Sequence, residues 1–323
     1  MTNTTKEAYI KLVEEISLNA WPSHKIELYD GWLIRFSHNY THRTNSVTQV
    51  GTSLLPIEEK IHYCEAVYAN YHTPSIFKIS PLIEPSFDEL LAGKGYEIQH
   101  VTETMTMELT QFQRYPSVSA EYEYYGRNSG MPSFVVYPDD VIVQLQDRIT
   151  DEWITSLFRL NGTTNPTLRR IVPSMFKAIP KETIVASIEI DGRMVASGLG
   201  ILDRGHVGLY AIYVDASCRH KHYARAICST ILSEAQKKGS THAYLQVVQG
   251  NAYAKSLYHS LGFEDLYTYW FRAKSSLPMY KRISCQSGYL PHSKRCMRMN
   301  RPVLNICKGN TRSFGKGAQL LRL

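Results

Sequence analysis

The 323-residue chain has no run of about 18 apolar residues, the length needed to cross a bilayer, so no membrane span is expected. Its opening, M-T-N-T-T-K-E-A-Y-I, lacks the basic start and long apolar stretch of a secretory signal, and no signal peptide is expected either. The 6 cysteines include no C-x-x-C pair, which leaves a zinc site or a dithiol redox motif without support. Reduced thiols in a cytoplasmic setting are the expectation, with no metal. Acidic residues are missing altogether after Arg272, where 11 Lys or Arg occur. Residues 1–272 carry 25 basic and 29 acidic side chains, so the net charge of +7 belongs to the terminal segment. Nucleic-acid binding therefore has no support in the globular part, and only the basic tail leaves it open.

What is present is ample core material. Hydrophobic residues make up 43% and aromatics 11%, including 22 Tyr, which is enough to bury two cores of ordinary domain size. Ala8, Tyr9, Leu12, Val13 and Ile16 fall at helical spacing over residues 4–20. Asp30-Gly31 separates two strand-like runs, Ile26 to Tyr29 and Trp32 to Phe36, as a hairpin turn does. Further strands are expected over 45–50, 75–79 and 96–109, with helices over 57–71 and 86–93. In the second half, helices are expected near 153–160 and 168–178. A hairpin follows across Asp191-Gly192, then a strand over 206–214, a helix from about Ala224, a strand over 241–248, a helix over 252–261 and a strand over 264–272.

One internal repeat is visible. F-D-E-L-L-A-G-K-G-Y-E at 87–97 parallels A-K-S-L-Y-H-S-L-G-F-E at 254–264, each a short helix, then Gly-aromatic-Glu, then a strand. Duplication of a mixed α/β (α+β) unit follows as the expectation. Its divisions are a domain over 1–110, a linker over 111–133, a second domain over 134–272, and a basic low-structure tail over 273–323.

The stretch with chemical content is V-D-A-S-C-R-H-K-H-Y-A-R-A, from Val214 to Ala226. It joins a strand to a helix, and a helix start offers unpaired N–H groups and partial positive charge that suit a diphosphate. The amides of His220, Lys221, His222, Tyr223, Ala224 and Arg225 are the candidate cradle. The Arg219 and Lys221 side chains are candidates for charge-assisted contacts. A solvated basic loop is the alternative, which the strand–turn–helix context disfavours. The turn has no glycine, although glycine permits positive φ and close backbone approach. His222 suits such a site if its φ is negative and its side chain points outward; an imidazole that contacts phosphate and one that obstructs its approach are the alternatives the sequence leaves open.

The segments L-Y-A-I-Y-V-D (209–215), R-H-K-H-Y-A (219–224) and N-A-Y-A-K-S-L-Y-H-S-L-G-F-E (251–264) resemble the GCN5-related N-acetyltransferase, or GNAT, family. The family's turn reads Arg/Gln-x-x-Gly-x-Gly/Ala. Arg219 and Ala224 match it, and His222 replaces the first glycine. Asn251, Ala254, Tyr258, Gly262 and Phe263 fall where the family pattern places them, and the order of elements extends the likeness over about 134–272. The first half is similar to the N-terminal part of tandem-GNAT proteins through A-W-P (20–22), D-G-W-L-I-R-F (30–36) and R-T-N-S-V (43–47). It has no recognisable pyrophosphate turn, which implies a degenerate domain.

The resemblance implies two domains, each a mixed sheet flanked by helices, and an acyltransferase that moves the acetyl group of acetyl-CoA to an amine acceptor. It implies pantetheine along Ile212, Tyr213 and Val214, by strand-like pairing. It also implies Tyr258 as proton donor to the departing thiolate, since a phenol titrates near ~10. Tyr258 as a core aromatic is the plainer alternative. Asn251 either contacts the cofactor arm or caps a helix. Glu189, His206 and Tyr210 are the candidates for general base. Cys218 and Cys228 are weak nucleophile candidates, so direct transfer in a ternary complex is the expected route. An acyl-CoA-binding protein with impaired catalysis is the competing expectation.

Overall fold

The computed structural model describes residues 3–112, 133–137 and 141–274. Most of the expected linker, and the basic tail from residue 275 on, lie outside the described residues. The first half runs α1 (Asn3–Ala20), β1 (Lys25–Tyr29), β2 (Trp32–Phe36), β3 (Val47–Gln49), α2 (Ile57–Asn70), β4 (Ile76–Ile79), α3 (Pro85–Gly93) and β5 (Glu97–Glu108). Ile10, Val13, Ile16 and Ala20 form the buried stripe of α1. The β1–β2 turn has Asp30 and Gly31 both at positive φ, the conformation that a two-residue hairpin requires.

The second half runs β6 (Ser133–Tyr137), β7 (Val141–Gln146), α4 (Asp151–Leu160), α5 (Pro166–Lys177), β8 (Thr183–Ile190), β9 (Arg193–Asp203), β10 (His206–Val214), α6 (Tyr223–Lys237), β11 (His242–Val248), α7 (Ala252–Ser260) and β12 (Glu264–Ala273). Two strands, β6 and β7, are absent from the sequence reading. S-F-V-V-Y and V-I-V-Q-L-Q are too short for periodicity to decide, although their β-branched residues point to strand. The last strand runs one residue past Arg272. Lys274, just beyond it, bonds through its amide to the Ser75 carbonyl and pairs with Glu65 at 3.4 Å. No helix among the described residues is long and apolar enough to cross a membrane.

The described strands form one sheet of 12, in the order β1-β2-β3-β4-β12-β5-β11-β10-β9-β8-β7-β6. Two neighbouring pairs are parallel, β3·β4 and β10·β11, and each is bridged by a helix, α2 or α6, as parallel neighbours require. The centre of the order holds an exchange. β12, from the second half, inserts between β4 and β5 of the first; β5 inserts between β12 and β11. Each half thus supplies one strand to the other's sheet.

The repeat seen in the sequence sits on this exchange. Tyr96 N–H donates to the Leu91 carbonyl at 3.0 Å, and Phe263 N–H donates to the Tyr258 carbonyl at 3.0 Å. The glycines before them, Gly95 and Gly262, are both left-handed, so α3 and α7 close with the same cap. In the β5–β12 ladder, Thr102 lies opposite Tyr269. That pair has the same separation in sequence as Gly95 and Gly262, so a pseudo-twofold axis passes through it.

Helices cover both faces of the second half's sheet. Beneath α6 lies a core of Val207, Leu209, Ile227, Ile231, Leu245 and Phe263, joined by Met105 and Met107 from β5. Gly198 on β9 lets α6 come this close: a Cβ there would collide with Ile227 and crowd Ile212. The opposite face packs α1, α4 and α5 over Tyr210, Tyr244, Tyr269 and Phe271. Within that face Lys78, Glu14 and Tyr267 form a buried network, with Lys78 Nζ 2.6 Å from Glu14 and the Tyr267 hydroxyl donating to the same carboxylate at 2.5 Å. Arg272 grips Asp88 of α3 in a two-pronged ion pair at 2.8 Å, which ties β12 to the first half.

Candidate active site

Strands β10 and β11 pair from His206–His242 to Leu209–Leu245 and then part. β11 stays paired to β5 as far as Val248, and β10 stays paired to β9 through Val214, so residues 210–214 present an open edge to the gap. A β-bulge marks the parting point. Tyr210 lies opposite Leu199 while Tyr213 lies opposite Ser197, with Ala211 at φ +50°. The Ser197 hydroxyl donates to the Ala211 carbonyl at 2.9 Å and holds the bulge. The extra residue has a directional effect: Tyr210 and Tyr213, three apart, both face the α1/α4 side. Ile212 and Val214 pack toward α6. All three residues of 212–214 are half-buried on the open edge.

At the end of β10, Asp215 holds the next turn by accepting from the Ser217 amide at 3.0 Å. Arg219, His220, Lys221 and His222 are exposed, and Tyr223 begins α6. Ala226 N–H bonds back to the His222 carbonyl at 3.0 Å, and the earlier amides belong to the unpaired first turn of the helix. No acidic residue occupies that turn. The Arg225 side chain bonds to Ser260, tying α6 to α7.

The φ at His222, left open by the sequence, is positive, so the condition of a negative φ is not met. His222 caps α6 at φ +59°, and His220 lies at φ +63°. The position takes the left-handed conformation for which glycine is suited, with its imidazole exposed and making no capping bond. A left-handed non-glycine residue costs about 1 kcal/mol. His222→Gly is therefore expected to raise Tm by about 2 °C in thermal unfolding, and a fall in Tm would show that the imidazole itself supports the turn.

Tyr258 projects from α7 into the core beneath α6 and is 9% exposed. Its hydroxyl has no hydrogen-bond partner among the described residues, while its ring meets Phe263 edge-on at 6.0 Å. Burial, and then the neighbouring Cys228 and Tyr213, push the phenol well above its ordinary pKa. The core reading and the proximity to the open strand both hold. Asn251 caps α7, accepting from the Ala254 amide at 3.4 Å. It also lines a cleft of about 160 Å3 with Val248, Gly250 and Lys255. Burial pushes the Cys228 thiol up to about 12, which makes it a poor nucleophile. Cys218 is half-buried beside Ser217.

The candidates for general base do not gather at the open edge. His206 is at the far end of β10, roughly 25 Å along the strand from Val214. Its Nδ1–H donates to the Arg204 carbonyl at 2.8 Å, and its ring stacks on His242. Glu189 is exposed on β8, with β9 between it and β10. Tyr210 shares a hydrogen bond with Tyr244 at 2.8 Å, and burial raises its pKa, so it stays a neutral phenol. The sequence reading gave no role to Arg43, whose Nε donates to the Tyr269 hydroxyl, or to Gln246, which accepts from that hydroxyl. Arg43 lies in the R-T-N-S-V segment, but nothing in one sequence announces which strand it meets.

The corresponding parts of the first half differ in kind. By its place in the repeat, Leu91 stands where the second half has Tyr258. The helix that bridges β3 and β4, α2, follows Pro56 and carries Glu58 and Glu59 in its first turn, where α6 has no acid. Two carboxylates at that terminus repel a diphosphate.

Comparison with known proteins gives a separate family match in each half. Residues 148–263 match the family model described as "Acetyltransferase (GNAT) family". Residues 7–124 match the one described as "Probable histone acetyltransferase Rv0428c C-terminal". An uncharacterized N-acetyltransferase of Bacillus subtilis, YobR, is 23% identical over 266 residues, covering 82% of this chain and 98% of its own. A GCN5-related N-acetyltransferase structure from Kribbella flavida superimposes with a TM-score of 0.58 at 14% identity, covering 84% of this chain and 96% of that one. A tandem GNAT protein from the clavulanic acid biosynthesis pathway gives a TM-score of 0.52 at 12% identity, covering 71% and 74%. These structural likenesses establish the fold, and the family match covers the parted strands, the left-handed turn and Tyr258 together. Residues 148–263 are a GCN5-related N-acetyltransferase domain, and the chain is an acyltransferase.

Proposed function

We propose that the second half transfers the acetyl group of acetyl-CoA directly to an amine, in a ternary complex. The observation that carries this reading is the continuity of three features: an open edge at 210–214, an unpaired helix start at 219–225, and Tyr258 buried between them. The amides of Lys221 to Arg225, with Arg219 and Lys221, hold the diphosphate. The main chain of Ile212, Tyr213 and Val214 pairs with the pantetheine amides and donates to the acetyl oxygen as charge develops there. Asn251 stays a cap and borders the same groove.

In the reaction the amine lone pair attacks the acetyl carbon, a C–N bond forms, and the C–S bond breaks with its electron pair passing to sulfur. Tyr258 O–H donates to that sulfur, and the proton lost by the amine passes through water to restore the Tyr258 phenol. The first half, with Leu91 and the acidic start of α2, binds no acetyl-CoA and serves as a wall of the acceptor site. A cytoplasmic setting, where acetyl-CoA is available, goes with this reading.

Calorimetry with acetyl-CoA, followed by thiol release over a panel of amines, tests it. One acetyl-CoA bound per chain and amine-dependent thiol release are expected. No binding at millimolar acetyl-CoA would refute the site, and acetyl-cysteine trapped at Cys218 would refute direct transfer. Tight binding without thiol release across the panel would leave an acyl-CoA-binding protein.

A further inference from the structure

The bulge where β10 leaves β11 decides which backbone groups face the gap, and the register fixes the outcome. β9 and β10 are joined by the two-residue turn Arg204-Gly205, so Asp203 and His206 on either side of it exchange hydrogen bonds. Such pairs recur at every second residue of an antiparallel ladder, so Gly208 and Tyr210 also turn their N–H and C=O groups to β9. Beyond the bulge the same phase returns at Tyr213, opposite Ser197, and at Asp215, whose N–H donates to the Val195 carbonyl at 2.8 Å. Ala211 and Ile212 lie between these points, where a regular strand has one residue.

A trans peptide points its N–H and its C=O in opposite directions. The Tyr210 carbonyl faces β9, so the Ala211 N–H faces away from it. The peptide that follows, between Ala211 and Ile212, is the extra one. Its carbonyl accepts from the Ser197 hydroxyl of β9 at 2.9 Å, so its N–H, on Ile212, also points away from β9. A residue of a regular strand that turns its N–H outward turns its carbonyl outward as well. Here Ser197 draws that carbonyl inward, and an N–H stands in its place. β11 no longer pairs with β10 beyond Leu209, so this outward side is the open edge. Two successive N–H groups line it, with no carbonyl between them. Ser197 is fully buried, and Ala211 keeps φ +50°. Without the hydroxyl the Ala211 carbonyl is a buried acceptor lacking this partner, which favours turning the peptide over.

We infer that Ser197 is a positioning residue for acetyl transfer, holding the Ala211–Ile212 peptide so that the Ile212 N–H is aimed at the acetyl oxygen. The inference rests on the acetyl-transfer reading above. As the amine attacks, negative charge grows on that oxygen. An N–H fixed beforehand stabilises this charge without having to reorient, whereas a carbonyl in the same place repels it. The bulge alone does not decide between the two, because the extra peptide belongs to no ladder and can present either end. The Ser197 hydroxyl decides it from the β9 side, acting through one peptide plane.

The test uses the full chain with acetyl-CoA labelled at the acetyl carbonyl, and its first readout needs no acceptor. Isotope-edited infrared spectroscopy is expected to show the carbonyl band at lower frequency on the wild-type protein than in free acetyl-CoA. Ser197→Ala should return the band toward the free position. It should also lower kcat by about 10- to 100-fold, with acetyl-CoA affinity and the KM of the amine that gives thiol release within about 3-fold. Ser197→Thr, which keeps the hydroxyl, should hold the band and keep kcat within about 3-fold of wild type. An unshifted band on wild-type protein overturns the inference. So does a Ser197→Ala band that stays at the wild-type position, even where kcat falls, because packing alone then explains the loss. A Ser197→Ala protein that no longer binds acetyl-CoA, beside a Ser197→Thr protein that does, would assign Ser197 to folding and overturn its role in aiming. Failure of the wild-type chain to bind acetyl-CoA in calorimetry instead removes the acetyl-transfer reading beneath it.

Discussion

Tyr258→Phe is expected to lower kcat for thiol release by about 100-fold while leaving acetyl-CoA affinity within about 2-fold. The substitution removes one oxygen and keeps the ring, so the edge-on contact with Phe263 survives and no cavity opens. Because the hydroxyl bonds to no described residue, its loss strands no partner inside the protein. What is lost is the donor to the departing sulfur. Burial, with Cys228 and Tyr213 nearby, raises the phenol's pKa, so it stays protonated at neutral and mildly alkaline pH. The sign follows: wild-type activity has no alkaline loss from this group between pH 6 and 9, and any rise over that range reports deprotonation of the acceptor amine. Steady-state kinetics of both proteins across that range would decide the matter. A variant that keeps more than half its kcat would remove Tyr258 from the chemistry and return it to the core.

The second large effect concerns the exchanged strands. Residues 133–274 produced alone should fail to give a cooperative thermal transition or bind acetyl-CoA. Mixing them with residues 1–112 should recover both. In the second half alone, β11 and β12 lose the strand that lies between them, along with Met105 and Met107 from their core. The first half alone loses β12 between β4 and β5, together with the Arg272–Asp88 clasp. An unpaired central ladder exposes two rows of backbone groups and a strip of apolar surface, which favours aggregation. Differential scanning calorimetry on the separate and mixed fragments measures this. A cooperative transition from residues 133–274 by themselves would show that the exchange is dispensable.

Much of this architecture was legible in the sequence because it depends on local pattern. The α1 stripe, the Asp30-Gly31 and Asp191-Gly192 turns and the strand–turn–helix at 209–226 are set by residues close in the chain, and the structure has them. Pairing is another matter. The strands 97–108 and 264–273 read as strands from alternation, but alternation does not say which strand lies beside them, so the exchange was invisible. The bulge at Ala211 is a slip of one residue within L-Y-A-I-Y, too small to disturb a strand pattern, yet it turns Tyr213 to the α1/α4 side. The same limit hid the Arg43–Tyr269–Gln246 hydrogen bonds, which join segments far apart in sequence. At His222 the residue type pointed away from a left-handed conformation, and tertiary structure overrode that preference.

The exchanged strands also set a timetable for synthesis. β5 leaves the ribosome well before either of its neighbours, since β11 begins only at His242 and β12 only at Glu264. While the second half is being made, both edges of a 12-residue strand have no lasting partner. The chain cannot complete its first sheet before it has nearly completed its second, so its two repeats must mature together. For a protein assembled from two copies of one unit, this couples folding across the whole described chain, and the long-range ladders make it slow.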